Sequence, residues 1–178
     1  MLKSPRQYQP LKSARMNRPA DSIQWPDEFA PARAPIHVRN ELAMPASAPV
    51  VWAWLIRARD WPSWYSNSHA VRIESGAADL ESGSTFRWQT FGVNCVSHVE
   101  EFVPPQRIAW NARGVGVWAY HAWLIRPAAA GCTVLTEETQ YGFLARMGGL
   151  LMPDRMHRLH QVWLEALRNK AQQGPLNS

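Results

Sequence analysis

From Ile36 the chain begins to alternate. In IHVRNELAM, Ile36, Val38, Asn40, Leu42 and Met44 fall on one parity, the pattern of a strand with one buried face. Ser47 then precedes Ala48-Pro49, an N-cap residue followed by a proline in the first turn, so APVVWAWLIRA reads as a helix. At helical spacing Val51, Trp54, Leu55 and Ala58 share one face, with Trp52 and Ile56 beside it. Asp60 opens a second short helix that Pro62 interrupts. Trp52, Trp54, Trp61, Trp64 and Tyr65 thus crowd onto two consecutive short helices, and the stretch ends in the polar pair Ser66-Asn67.

Six strand-like runs follow: HAVRIES (69–75), STFRWQTFG (84–92), VNCVSHVEEFV (93–103), RIAWNA (107–112), VWAYHAWLIR (117–126) and CTVLTEETQY (132–141). Gly76, Gly83, Gly92, Pro104-Pro105, Gly114, Gly116 and Gly131 punctuate them. Consecutive strands with no helix between them imply an antiparallel meander. The pattern from Phe143 to Ala171 is helical, weakened early by Gly148-Gly149 and Pro153. From Asp154 onward Met156, Leu159, Trp163 and Leu167 form its apolar stripe. The order predicts an α+β helix-grip fold. A curved antiparallel seven-stranded sheet wraps a long C-terminal helix, with two short helices after the first strand and a cavity between sheet and helix.

Residues 1–35 differ in kind. Six prolines and scattered basic residues leave no helix or strand period, so this segment reads as an extended arm, followed by a domain over 36–173 and a tail over 174–178. Ile23, Trp25 and Phe29 are apolar enough to dock on the domain. The net charge is +5 in 178 residues, and Lys3, Arg6, Lys12, Arg15 and Arg18 all precede the first acidic residue, so the excess belongs to the arm. Aromatics that alternate as buried strand faces, away from the basic segment, argue against nucleic acid as a partner. The longest apolar run, VVWAWLI, falls far short of the roughly 20 residues of a membrane span, and no secretory apolar stretch follows the basic N-terminus. Two cysteines, Cys95 and Cys132, do not make a disulfide framework, and a cytoplasmic location with reduced thiols is expected.

Several local patterns, in order, resemble the START-like (SRPBCC) superfamily and, within it, the polyketide cyclase/dehydrase and lipid-transport group. They are APVVWAWL, DWPSWYSN, GSTFRW, VEEFVPPQRIAW, HAWLI, GCTVLTEET and HRLHQVWLEAL. The likeness covers roughly residues 36–173. It implies an internal cavity for a hydrophobic, aromatic or lipid ligand, and in some members cyclisation or dehydration within it. The superfamily shares no catalytic signature, so the residues must carry the rest of the argument.

Strand parity turns Phe86 and Trp88 inward, and likewise Ile108 and Trp110. In VWAYHAWLIR both parities are apolar, and the resemblance is what places His121, Trp123 and Ile125 inside. Trp118, Tyr120 and Leu124 then face outward, too apolar to lie bare. The expected ligand-binding residues are Trp61, Trp64 and Tyr65 at the mouth, with Phe86, Trp88, Trp110, Trp123, Met156 and Trp163 as walls. His121 is the polar candidate, as acid, base or hydrogen-bond donor, with Glu137 or Glu138 beside it; parity does not choose between the two. His157 and His160 stand as H-x-x-H, but no CxxC, HExxH or nearby third ligand accompanies them, so no metal and no cofactor are expected. The leading expectation is binding of an apolar or aromatic small molecule. An enzyme of the cyclase/dehydratase type on the same cavity is the alternative, and a protein-interaction module using the outer aromatic face, including a homodimer, is the third.

Overall fold

The computed structural model describes residues 22–175. Seven strands form one antiparallel sheet: β1 (Ile36–Met44), β2 (Ser68–Ile73), β3 (Thr85–Thr90), β4 (Val93–Val103), β5 (Arg107–Gly114), β6 (Val117–Ala128) and β7 (Gly131–Tyr141), in the order β1-β7-β6-β5-β4-β3-β2. Helix α1 (Ala48–Ile56) and a 3-10 helix (Ala58–Ser63) follow β1. Helices α2 (Phe143–Leu151) and α3 (Arg155–Ala171) close the chain, α3 lying across the concave face. This is the α+β helix-grip arrangement. Among the described residues no helix is long and apolar enough to cross a membrane. The basic residues Lys3 to Arg18 lie outside the described residues, as do 176–178 of the tail.

Two helical details differ from the periodic reading. The C-terminal helical pattern is two helices, because Met152-Pro153-Asp154 interrupts it where the proline lacks an N–H. On α1, Trp52 rather than Trp54 is buried, packed edge-on against Phe102 at 5.2 Å. Trp54 is half-buried. Its Nε1 donates to the Gly174 carbonyl at 3.0 Å, and the Lys170 ammonium lies 5.4 Å from its ring centroid.

The register decides which side chains meet. His121 of β6 stands opposite Glu138 of β7, and Trp123 opposite Thr136, all on the inner face. Glu137 is opposite Arg39 of β1 and faces the other way, where His37 and Arg39 pair with its carboxylate. The inner face and α3 enclose the main core, which contains Trp61, Trp110, Trp123 and Trp163.

The outer face of β5–β7 carries a second core. Ile23 and Phe29 are buried there with Ala109, Tyr120, Ala122, Leu124 and Leu135, and Trp25 and Tyr141 pack alongside. Phe29 stacks on Tyr120 at 5.3 Å, and its carbonyl accepts the Thr139 hydroxyl at 3.1 Å. The outer aromatic face expected for an interaction module is therefore mostly covered by the chain itself: Tyr120 and Leu124 are buried, while Trp118 stays 43% exposed and stacks on Tyr141. Burying large apolar side chains supplies the free energy for ordering this segment. Phe29→Ala should lower the free energy of unfolding by about 3 kcal/mol in urea titration, near the lower end for a buried phenylalanine. An unchanged midpoint would show that the segment adds nothing to the domain's stability.

Candidate functional site

A cavity of about 150 Å³ lies between the inner face of the sheet and helices α2 and α3. Trp88 (β3), Trp110 (β5), Trp163 and Met156 (both α3) supply apolar wall, and Ala112 and Ala119 leave room by being small. His121, Glu138, Gln140 and Thr90 are its polar residues on the sheet side. Leu144, Ala145, Gly148 and Gly149 of α2 cover it, continued by Met152, Pro153 and Arg155.

The other expected site residues fall elsewhere. Trp61, Tyr65, Phe86 and Trp123 are buried in the core and do not line the cavity. Trp61 lies between Phe86, Trp88, Trp110 and Trp163, and its Nε1 donates to the Leu55 carbonyl at 3.0 Å. Tyr65 stacks on Trp163 at 4.4 Å, and Trp64 is half-buried outside the cavity. The polar end of the stretch braces a turn. Asn67 Nδ2 donates to the Tyr65 hydroxyl and Thr90 Oγ1, and Asn67 Oδ1 accepts the Phe91 N–H. Glu137 is on the outer face, away from His121.

His121, Glu138 and His160 form one buried cluster. Glu138 Oε2 lies 3.2 Å from His121 Nδ1 and 3.0 Å from His160 Nε2, while its Oε1 accepts the Gln140 amide at 2.6 Å. His121 Nε2 is 2.7 Å from the Thr136 hydroxyl, which can donate or accept and so holds either tautomer. Burial pushes His121 down to about 3, outweighing the pull of the Glu138 charge, so its imidazole is neutral at ordinary pH. Burial alone would push Glu138 up, but the two histidines and the Gln140 amide together hold it below the usual carboxylate range. The cluster is a buried carboxylate braced by two imidazoles and an amide, with no lysine or arginine among its ion-pair partners in the described residues.

The sequence reading did not place His160 beside Glu138, nor Phe91 and α2 at the cavity. His160 stood next to His157 in the H-x-x-H spacing, yet α3 buries His160 and leaves His157 exposed. Phe91 lines the cavity with φ at 52°, a left-handed conformation costly for a bulky residue. Its ring stands edge-on to His160 at 6.2 Å. A phenylalanine beside Gly92 in a hairpin turn, where asparagine is the usual choice, is the signal that could have flagged it.

A curved antiparallel sheet gripping a long helix over a partly apolar cavity defines a helix-grip scaffold. A profile described as polyketide cyclase / dehydrase and lipid transport matches residues 35–172, and the chain belongs to that family. Among solved structures, a hypothetical protein of Helicobacter pylori is 27% identical over 86% of this chain and 98% of its own, with a TM-score of 0.79. The Zhui aromatase/cyclase from Streptomyces sp. R1128 is 15% identical over 79% of this chain and 99% of its own, with a TM-score of 0.65. Norcoclaurine synthase from Thalictrum flavum, in complex with dopamine and hydroxybenzaldehyde, is 13% identical over 80% and 89%, with a TM-score of 0.59. The last two likenesses show the fold alone. No curated protein matches the chain at a significant level.

Gly142 sets the entry angle of α2. Its φ is 104°, and a Cβ there would sit against the Gly116 carbonyl oxygen, inside van der Waals contact. Gly142→Ala should therefore destabilise the protein by about 1–3 kcal/mol, the usual cost of a strained backbone position. Amide exchange should quicken in α2 more than in α3. Equal exchange in both helices would show that Gly142 does not anchor the cavity's cover.

Proposed function

We propose that the cavity binds a small aromatic or otherwise apolar molecule bearing a hydrogen-bond acceptor. The observation that carries this reading is the pairing of indole walls with unmatched donors. Trp110 and Trp163 both line the cavity, and their buried Nε1 groups have no hydrogen-bond partner among the described residues. A buried N–H without an acceptor is costly, and a guest oxygen would relieve that cost. Size narrows the class. A cavity of about 150 Å³ suits roughly one aromatic ring, as a benzene-binding void of that volume does. A long acyl chain would need α2 to move.

The test uses 4-nitroanisole, a neutral ring with acceptor oxygens that quenches tryptophan emission. Saturable quenching at one site per chain is expected. Ala112→Leu, which fills cavity space from β5, should weaken binding at least about tenfold, or 1.4 kcal/mol. Quenching that never saturates, or that Ala112→Leu leaves unchanged, would sink the reading.

A second reading, acid–base turnover of the cyclase or dehydratase kind, is favoured by His121 and Glu138 lining the same cavity. Both ring nitrogens of His121 already have partners, so a proton must pass through Glu138 or Thr136, which makes binding the better-supported function. If turnover exists, His121→Ala should lower kcat by about 100-fold or more with little change in binding of 4-nitroanisole. A kcat that survives the substitution would remove His121 from the chemistry.

A further inference from the structure

We propose that His121 Nδ1, Glu138 Oε2 and His160 Nε2 form a three-ligand site for a divalent first-row cation of the zinc class, with its open position toward the cavity. Three elements, β6, β7 and α3, bring these side chains together, and their donor atoms all lie within 4.8 Å of one another. Ligands around a tetrahedral zinc, at about 2.1 Å from the metal, stand about 3.4 Å apart. The two nitrogen–oxygen separations, 3.2 and 3.0 Å, are already close to that value. Side-chain rotation on the order of an ångström closes the rest. The donor set, two imidazoles and one carboxylate, is that of zinc sites which keep a fourth position for water or substrate.

The surroundings have the parts such a site uses. The far nitrogen of His121 meets the Thr136 hydroxyl, and the far oxygen of Glu138 meets the Gln140 amide; contacts of this kind orient metal ligands. All three side chains are buried, and Glu138 has only the two histidines as ion-pair partners among the described residues. A divalent cation would compensate that buried carboxylate more fully than hydrogen bonds from imidazole and amide do. His121 and Glu138 line the cavity, so a fourth ligand, water or a guest oxygen, would come from that side.

The experiment needs no organic ligand, so its outcome is independent of the 4-nitroanisole test. The full chain, stripped with chelator, is titrated with Co²⁺ and followed by visible absorption, then displaced with Zn²⁺ in a calorimeter. One Co²⁺ per chain with the intense visible bands of four-coordinate cobalt, displaced by one Zn²⁺, is expected. His160→Ala and Glu138→Gln should each weaken binding at least about 100-fold, since loss of even an orienting contact costs 10–100-fold. Thr136→Val should fall within that smaller range. His157→Ala, which removes the exposed neighbour, should bind as the parent does. Circular dichroism and thermal melts in the absence of metal separate lost ligation from lost folding; should His160→Ala not fold, Glu138→Gln decides. No stoichiometric uptake by the parent chain, or uptake that Glu138→Gln or a folded His160→Ala leaves unchanged, overturns the proposal and leaves a hydrogen-bonded cluster.

Discussion

The structure depends on the seating of Trp163 in the concave face of the sheet. Its ring stacks on Tyr65 at 4.4 Å and lies 5.0 Å from Trp123, 5.1 Å from Trp61, 5.4 Å from His121 and 5.8 Å from Trp88. One side chain of α3 thus ties together the segment after α1, strands β3 and β6, and the polar cluster. Aromatic pairs contribute about 0.5–1.5 kcal/mol each beyond area burial, so several sharing one ring fix the helix against the sheet. Flat, rigid rings also cannot collapse into neighbouring space as methionine or leucine can. A wall of indoles is therefore compatible with a persistent cavity, and the wealth of tryptophan serves the core and the cavity together.

The Glu138 cluster sits within this aromatic packing, and stability alone gives no reason for it. Taking a carboxylate out of water costs several kcal/mol, and well-packed apolar residues are often as stable as a buried ionic group or more so. The groups that brace Glu138 come from three elements: the Gln140 amide two residues along β7, the His121 imidazole of β6 and the His160 imidazole of α3. Trp110 and Trp163, whose indole donors are unmatched among the described residues, line the same cavity. Polar groups converging on one small space make it the part of the core whose burial is most costly to the fold.

Strands were the most legible part of the sequence, because a period of two identifies both the element and its buried face. Phe86, Trp88, Ile108 and Trp110 are all buried on the inner face, as their parity indicates. Where both parities were apolar or both acidic, periodicity had nothing to distinguish. The choice between Glu137 and Glu138 came from register against β1 and β6, a long-range property. Trp61 and Tyr65 were expected at a mouth because of their polar neighbours. Those neighbours instead brace the Phe91 turn from behind while the rings point into the core. His160 stayed hidden because its partners, Glu138 and His121, are more than twenty residues away and meet it only when α3 docks.

The walls of the cavity are unequal in what holds them. On the sheet side and along α3, large rings are locked by other rings. On the α2 side the contacts are small: Ala145, Gly148 and Gly149 face the space, and a Cβ on Gly149 would press on Ile36. Apart from Leu144, which lines the cavity, the largest apolar residues of α2 point away, with Phe143 69%, Leu150 78% and Leu151 67% exposed. Displacing α2 therefore breaks few buried apolar contacts, which makes it the part of the enclosure that costs least to move. A cavity held by aromatic packing on the sheet and along α3, and by small residues on α2, has a fixed shape on all but its thinly attached wall. Glycine in α2 suits that wall, since it lets the helix lie close over the space while adding little that holds it there.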